Sequence, residues 1–127
     1  MYEYKFTLDK VVDGDTIDGT IDLGFKTFVK KRMRLLGIDA PEIRLQSKIK
    51  DLEERKKEKE RGLLAKQELT NLLKGKNKIL IARTKLDKSG KYGRILAQII
   101  VEENGSHTNV NDLLLLYGYV RKYKKRT

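Results

Sequence analysis

The chain has 127 residues, enough for one domain around a modest core that needs no covalent cross-links. It contains no cysteine, which excludes a disulfide framework, a thiolate zinc site and a cysteine nucleophile. Lys and Arg number 29 against 18 Asp and Glu, a formal net charge of +11 with a pI near 9.8, and this balance favours polyanionic partners, nucleic acid first, through phosphate neutralisation and counterion release.

Tyr2, Tyr4, Phe6 and Leu8 occupy alternate positions in residues 2–12, the period of a strand with one buried face. Glu3, Lys5, Asp9 and Lys10 interrupt that stretch, so it lacks the apolar centre of a signal peptide. No other stretch approaches the roughly 18 apolar residues of a membrane span. The expectation is a cytoplasmic protein without a membrane partner. Asp13-Gly14-Asp15 then breaks the pattern, and Ile17, Ile21 and Leu23 begin a second strand. Gly24 marks a turn into a third strand, predicted over residues 25–38 from its Phe, Val, Met, Leu and Ile content. Asp39-Ala40-Pro41-Glu42 ends it in a rigid corner, because the single proline fixes its own backbone and biases Ala40 away from helix.

Residues 46–61 are mostly Lys, Arg and Glu, with only Ile49 and Leu52 apolar, and read as a solvated helix or loop. From Leu63 onward, Ala65, Leu69, Leu72 and Leu73 fall at i, i+4, i+7 and i+8, an amphipathic helix that Gly75 is placed to cap. Two further strands are predicted over 79–84 and 94–102, separated by a polar turn from Leu86 to Gly93. Asn109 or Asn111 caps a last helix through Leu113–Leu116, ahead of a basic tail. His107, the only histidine, falls among Asn104, Gly105, Ser106 and Thr108, the composition of an exposed turn. Five strands with a helix between the third and fourth predict an α+β fold, a five-stranded OB-fold-like Greek-key β-barrel with two packed helices, in one domain over residues 1–127.

Three short stretches carry the chemical signal: Val12-Asp13-Gly14-Asp15-Thr16, the run from Arg34 to Glu42, and Lys91-Tyr92-Gly93-Arg94. Each alone is ordinary turn or surface chemistry. Together they supply what phosphodiester hydrolysis needs. Asp15, Asp39 and a backbone carbonyl near Pro41 are oxygen donors of the kind hard cations take. Glu42 is a further carboxylate for handling the attacking water. Arg34 and Arg94 are permanently charged forks suited to phosphoryl oxygens.

In this order and combination the three motifs resemble the staphylococcal nuclease (thermonuclease) family, whose signatures are Asp-Gly-Asp-Thr, Arg…Asp-x-Pro-Glu and Tyr-Gly-Arg. The resemblance runs from the first strand to the helix near residue 115. It implies that Asp15 and Asp39 ligate calcium (Ca2+) with the Ala40 carbonyl, with Asp13 a supporting carboxylate. Glu42 falls at the position of the general base or water-orienting group, Arg34 and Arg94 at those of the phosphate-gripping pair, and Lys91 and Tyr92 at nucleotide-contacting positions. The implied reaction is in-line attack of water on phosphorus with cleavage of the P–O5′ bond of DNA or RNA, giving 3′-phosphate products, by a monomer.

The chain departs from the family pattern in three places. Alanine stands between Asp39 and Pro41 where the type member has threonine, which leaves a carbonyl ligand in place. The charged segment 46–61 is longer than the corresponding loop, and the family's third helix has no counterpart. Tyr117, Tyr119 and Tyr123 fall on or beside a Leu-rich helix, so packing is their expected role ahead of base stacking. The rival readings are a noncatalytic OB-fold module that binds single-stranded nucleic acid and a basic protein-interaction adaptor. A compact, Lys-rich, cysteine-free chain also fits a phage or prophage source.

Overall fold

The computed structural model describes residues 1–43, 51–86 and 94–123. Alternation sets the first hairpin: on β1 (Tyr2–Asp13) Phe6 is buried, Tyr4 and Leu8 are half-buried, and Lys5, Thr7 and Asp9 face water. A register shift between Leu8 and Lys10 then resets the phase, so that Val11 rather than Lys10 points inward. Ile17, Gly19 and Ile21 are buried along β2 (Thr16–Asp22), and Met33 and Leu35 along β3 (Phe28–Leu35).

The third strand is shorter than the apolar content of residues 25–38 predicts. Gly24, Phe25 and Lys26 all take positive φ, 85°, 54° and 59°, closing a loop in which the Leu23 N–H donates to the Thr27 carbonyl and the Gly24 N–H to the Asp22 carboxylate. Leu23 and Phe25 are exposed in consequence. At the other end β3 stops at Leu35, and after a turn through Gly37 the two-residue β4 (Ile38–Asp39) carries the chain to the proline corner.

β1 pairs antiparallel with β2 and with β5 (Ile79–Leu86), β2 with β3, and β5 with β6 (Ile95–Glu103). A short parallel ladder, Met33–Leu35 against Ile95–Ala97, joins β3 to β6 and closes the barrel. This is the five-stranded, OB-like α+β architecture that the pattern predicts. Outside the five barrel strands, β7 (Ser106–Asn109) extends the sheet as a hairpin on β6. His107 is therefore on a strand rather than in a turn, exposed and opposite Glu102.

α1 (Leu52–Leu73) starts earlier than its apolar periodicity, because Asp51 caps it by accepting the Glu53 N–H and most of the charged residues that follow stay in water. Of the segment 46–61, residues 46–50 lie outside the described residues. Gly62, Ala65, Leu69 and Leu73 form the face of α1 that packs on the barrel. The helix ends with the Lys74 N–H donating to the Thr70 carbonyl, so Lys74 takes the capping position expected for Gly75. α2 (Val110–Leu116) is capped by Asn109, whose side chain accepts the Asp112 N–H, and buries Val110 and Leu114. Beyond α2, Val120 joins the core and β8 (Arg121–Lys122) pairs antiparallel with β4.

Candidate active site

The Asp13–Asp15 turn links β1 to β2 and presses against two other elements. The Asp13 carboxylate accepts the Asp15 N–H at 3.1 Å, which fixes the turn. A Cβ on Gly14 would stand 2.6 Å from Cβ of Ala65 and 2.9 Å from Cβ of Ala40. Only glycine lets the turn touch α1 and the proline corner together. Gly62 makes the matching approach from α1, where a Cβ would lie 2.6 Å from the Pro41 carbonyl oxygen and 2.9 Å from that of Glu42. Small residues on the helix thus set the height of both loops that carry the carboxylates.

Asp15 is buried, at 5% exposure. One carboxylate oxygen accepts the Ala40 N–H at 2.8 Å and the other the Thr16 hydroxyl at 2.8 Å. Burial pushes this carboxyl above its usual range, with the neighbouring Asp13 adding to the rise, while the bonds from Ala40 and Thr16 pull it down. Asp39 sits on β4 with half its side chain in solvent.

Arg34, at the end of β3, joins them: its Nη2 lies 3.0 Å from Oδ1 of Asp39 and 3.7 Å from Oδ2 of Asp15. The Tyr123 ring lies over the same guanidinium, its centroid 5.3 Å from Cζ. Tyr123 arrives there because β8 pairs with β4, Asp39 opposite Arg121, and because the Tyr123 N–H donates to the Gly37 carbonyl at 3.0 Å.

Arg94 stands exposed just before β6, and Arg34 and Arg94 line one groove of about 630 Å³ together with Thr16, Lys31, Arg32, Leu86 and Ile95. Glu42 is exposed at the corner, where its backbone rather than its side chain meets α1. Lys91 and Tyr92 lie outside the described residues.

Two features of the site carry no sequence motif. Asn111, one of two residues that the pattern offers as a helix cap, is buried instead: its amide donates to the Leu36 and Ala97 carbonyls at 2.9 and 3.0 Å, and its oxygen accepts the Ile99 N–H at 3.1 Å. It ties the β3–β4 turn to β6, which holds Asp39 in place relative to Asp15. The choice between Asn109 and Asn111 depends on which faces the barrel, a fact of packing. The other is β8 with Tyr123, since two strand residues within a basic run have no readable period. Arg121 also reaches the largely buried Glu58 of α1 at 3.8 Å, and Arg61 meets the same carboxylate at 3.3 Å.

The donors on hand are hard oxygens, Asp15 and Asp39 carboxylates converging on one arginine nitrogen with the backbone of Ala40 alongside, and such a set suits calcium or magnesium rather than a soft metal. Asp15 and Asp39 supply two carboxylates, and among the described residues no third acidic or histidine side chain joins them in an ion-binding cluster. The groove beside them is cationic and suits a phosphate backbone.

A family model described as staphylococcal nuclease homologue matches residues 32–127. Over 122 residues the chain is 34% identical to the uncharacterized protein MJ1439 of Methanocaldococcus jannaschii, covering 90% of this chain and 56% of that protein. Over 121 residues it is 33% identical to Endonuclease YhcR of Bacillus subtilis, covering 95% of this chain and 9% of that protein. The chain thus spans little more than half of one relative and a small part of the other.

Proposed function

The chain belongs to the staphylococcal nuclease family, and we propose that it is a calcium-dependent nuclease that hydrolyses DNA or RNA at the P–O5′ bond to leave 3′-phosphate ends. The observation that carries this reading is the meeting of Asp15, Asp39 and Arg34 at one end of a groove that also holds Arg94. The family's nucleases generally use calcium, and the oxygen donors fit it. Asp15, Asp39 and the Ala40 carbonyl would hold the ion. When bound, calcium polarises a phosphoryl oxygen and offsets the charge that gathers there.

The chain's own groups perform the rest. Arg34 and Arg94 draw a diester into the groove and donate to its non-bridging oxygens, more strongly as these gain charge in the transition state. Glu42 accepts a proton from water as the water oxygen attacks phosphorus opposite the 5′-oxygen. The P–O5′ bond then breaks, and the 5′-oxygen takes up a proton to leave as a hydroxyl. Asp15, held by Ala40 and Thr16, keeps its carboxylate aimed without a solvent shell to reorganise.

The test is digestion of single-stranded DNA and of RNA in calcium and in EDTA, with wild type and Glu42→Gln. Cleavage only in calcium, lost in the variant and giving 3′-phosphate ends, is the expected result. Equal cutting in EDTA or in the variant overturns the mechanism, and tight binding without any cutting in calcium points to the noncatalytic single-strand module.

A further inference from the structure

Among the described residues β3 is joined to β6 over Met33–Leu35 and Ile95–Ala97. The groove that holds Arg34 and Arg94 is lined by β3 on both sides of Met33, through Lys31, Arg32 and Arg34. Lys31 falls in the inward phase of β3, in step with the buried Met33 and Leu35, yet it is exposed and lines the groove. Arg32 falls in the outward phase with Arg34, about 7 Å from it along the strand, which is close to one nucleotide step of an extended chain. Asp18, opposite Arg32 on β2, accepts two bonds from its guanidinium, at 2.8 and 3.2 Å, and so orients it at the rim.

We propose that Lys31 and Arg32 form a backbone-phosphate subsite beside the cleaved position, which favours a polynucleotide chain over an isolated diester. This rests on the nuclease reading above and names the substrate class of that site. Among the described residues that line the groove, Lys31, Arg32, Arg34 and Arg94 are cationic and none is acidic, so a chain held at Arg34 and Arg94 has its neighbouring phosphate within reach of two more positive groups. Charged residues on a strand also block association between sheets. That role does not call for Lys31 and Arg32 to share a groove with Arg34 and Arg94.

The experiment measures binding of a labelled oligothymidylate of about 20 nucleotides in EDTA over a range of KCl, and cleavage in calcium. Lys31→Ala/Arg32→Ala is compared with wild type and with Lys74→Ala/Lys76→Ala, which removes the same charge at the far end of α1. Lys31→Glu, which leaves the Asp18–Arg32 pair intact, covers the case in which the double variant folds poorly. Loss of two phosphate contacts lowers the slope of log K against log salt by about 1.4, while the control keeps the wild-type slope. In calcium, the ratio of kcat/KM on the oligonucleotide to kcat/KM on a nitrophenyl nucleoside diester falls about tenfold in the double variant. A wild-type slope and ratio in both groove variants overturns the subsite. Absence of any cleavage by wild type overturns the nuclease reading instead, and the binding slope still decides the subsite.

Discussion

Gly62 on α1 stands directly against Pro41, so close that a Cβ at position 62 would lie 2.6 Å from the Pro41 carbonyl oxygen. At position 62 the helix meets the corner backbone to backbone, and the positions of Ala40 and Glu42 follow from where that contact is made.

Gly62→Ala therefore forces the corner away from the helix. The expected cost is about 1–3 kcal/mol of stability, as for other overpacked sites, read from urea denaturation. Because Glu42 moves with the corner, kcat on single-stranded DNA falls more than KM rises. An alanine variant with wild-type stability and kcat would show that the corner yields freely.

Asn111→Ala leaves the Leu36 and Ala97 carbonyls and the Ile99 N–H without their side-chain partner. The Ala97 carbonyl still accepts the Leu36 N–H at 2.8 Å, so two groups are left unsatisfied in the interior, and at roughly 1–3 kcal/mol for each a loss of about 2 kcal/mol or more is expected in urea denaturation. Asn109→Ala, which removes only a helix cap, costs about 1 kcal/mol. Equal losses in the two variants would contradict the division of roles between these asparagines.

Asp15 is held at a pKa above its ordinary 3.8, chiefly by burial. A carboxyl with a raised folded pKa binds its proton more tightly folded than unfolded, so the cation-free protein loses stability as pH rises from about 3.8 through the folded value and levels off above it. Asp15→Asn removes that cost. In EDTA at pH 7 its thermal midpoint equals or exceeds that of wild type, and the difference closes toward acid pH. A variant several degrees less stable at pH 7 would sink this account.

The proposed calcium site predicts that calcium at a hundred times its dissociation constant stabilises wild type by about 2.7 kcal/mol. Asp15→Asn and Asp39→Asn lose most of that gain, as calorimetry with and without calcium will show. An undiminished calcium shift in both variants would place the ion elsewhere.

Tyr123 steadies Arg34 through its ring face. Tyr123→Ala should cost about 0.5–1 kcal/mol of that support, a two- to fivefold drop in kcat/KM, and Tyr123→Phe should restore it because the ring rather than the hydroxyl makes the contact. No recovery with phenylalanine would assign the effect to the hydroxyl.

The barrel was legible because its signal is local. Alternation at Phe6 and Leu8, at Ile17 and Ile21, and at Met33 and Leu35 tells inward from outward without knowledge of the partner strand. That Asp15, Asp39 and Arg34 belong together was legible because each falls in a short motif, and the structure brings the three within salt-bridge reach. What escaped the sequence depends on partners distant along the chain. Asn111 matters through carbonyls at positions 36 and 97, and β8 exists only because β4 offers an edge to Arg121 and Lys122. Leu23 and Phe25 misled for the opposite reason: their composition suits a strand, but three successive residues at positive φ turn the chain there.

The parallel ladder between β3 and β6 gives the order in which this molecule can come into being. Every other barrel strand pairs antiparallel, and β1–β2, β2–β3 and β5–β6 link successive barrel strands, whereas Met33–Leu35 must find Ile95–Ala97 across the whole of α1 and β5. Contacts so distant in sequence, like those of Tyr2–Phe6 with Leu80–Thr84 between β1 and β5, carry a large loop-closure entropy and form late. Arg34 lies in that ladder and Arg94 immediately precedes it. A half-built barrel therefore holds the acidic turn but does not yet bring its two arginines together, so the groove that both line is completed only as the β3–β6 ladder closes. Met33→Ala should accordingly speed unfolding far more than it slows refolding in stopped-flow measurements.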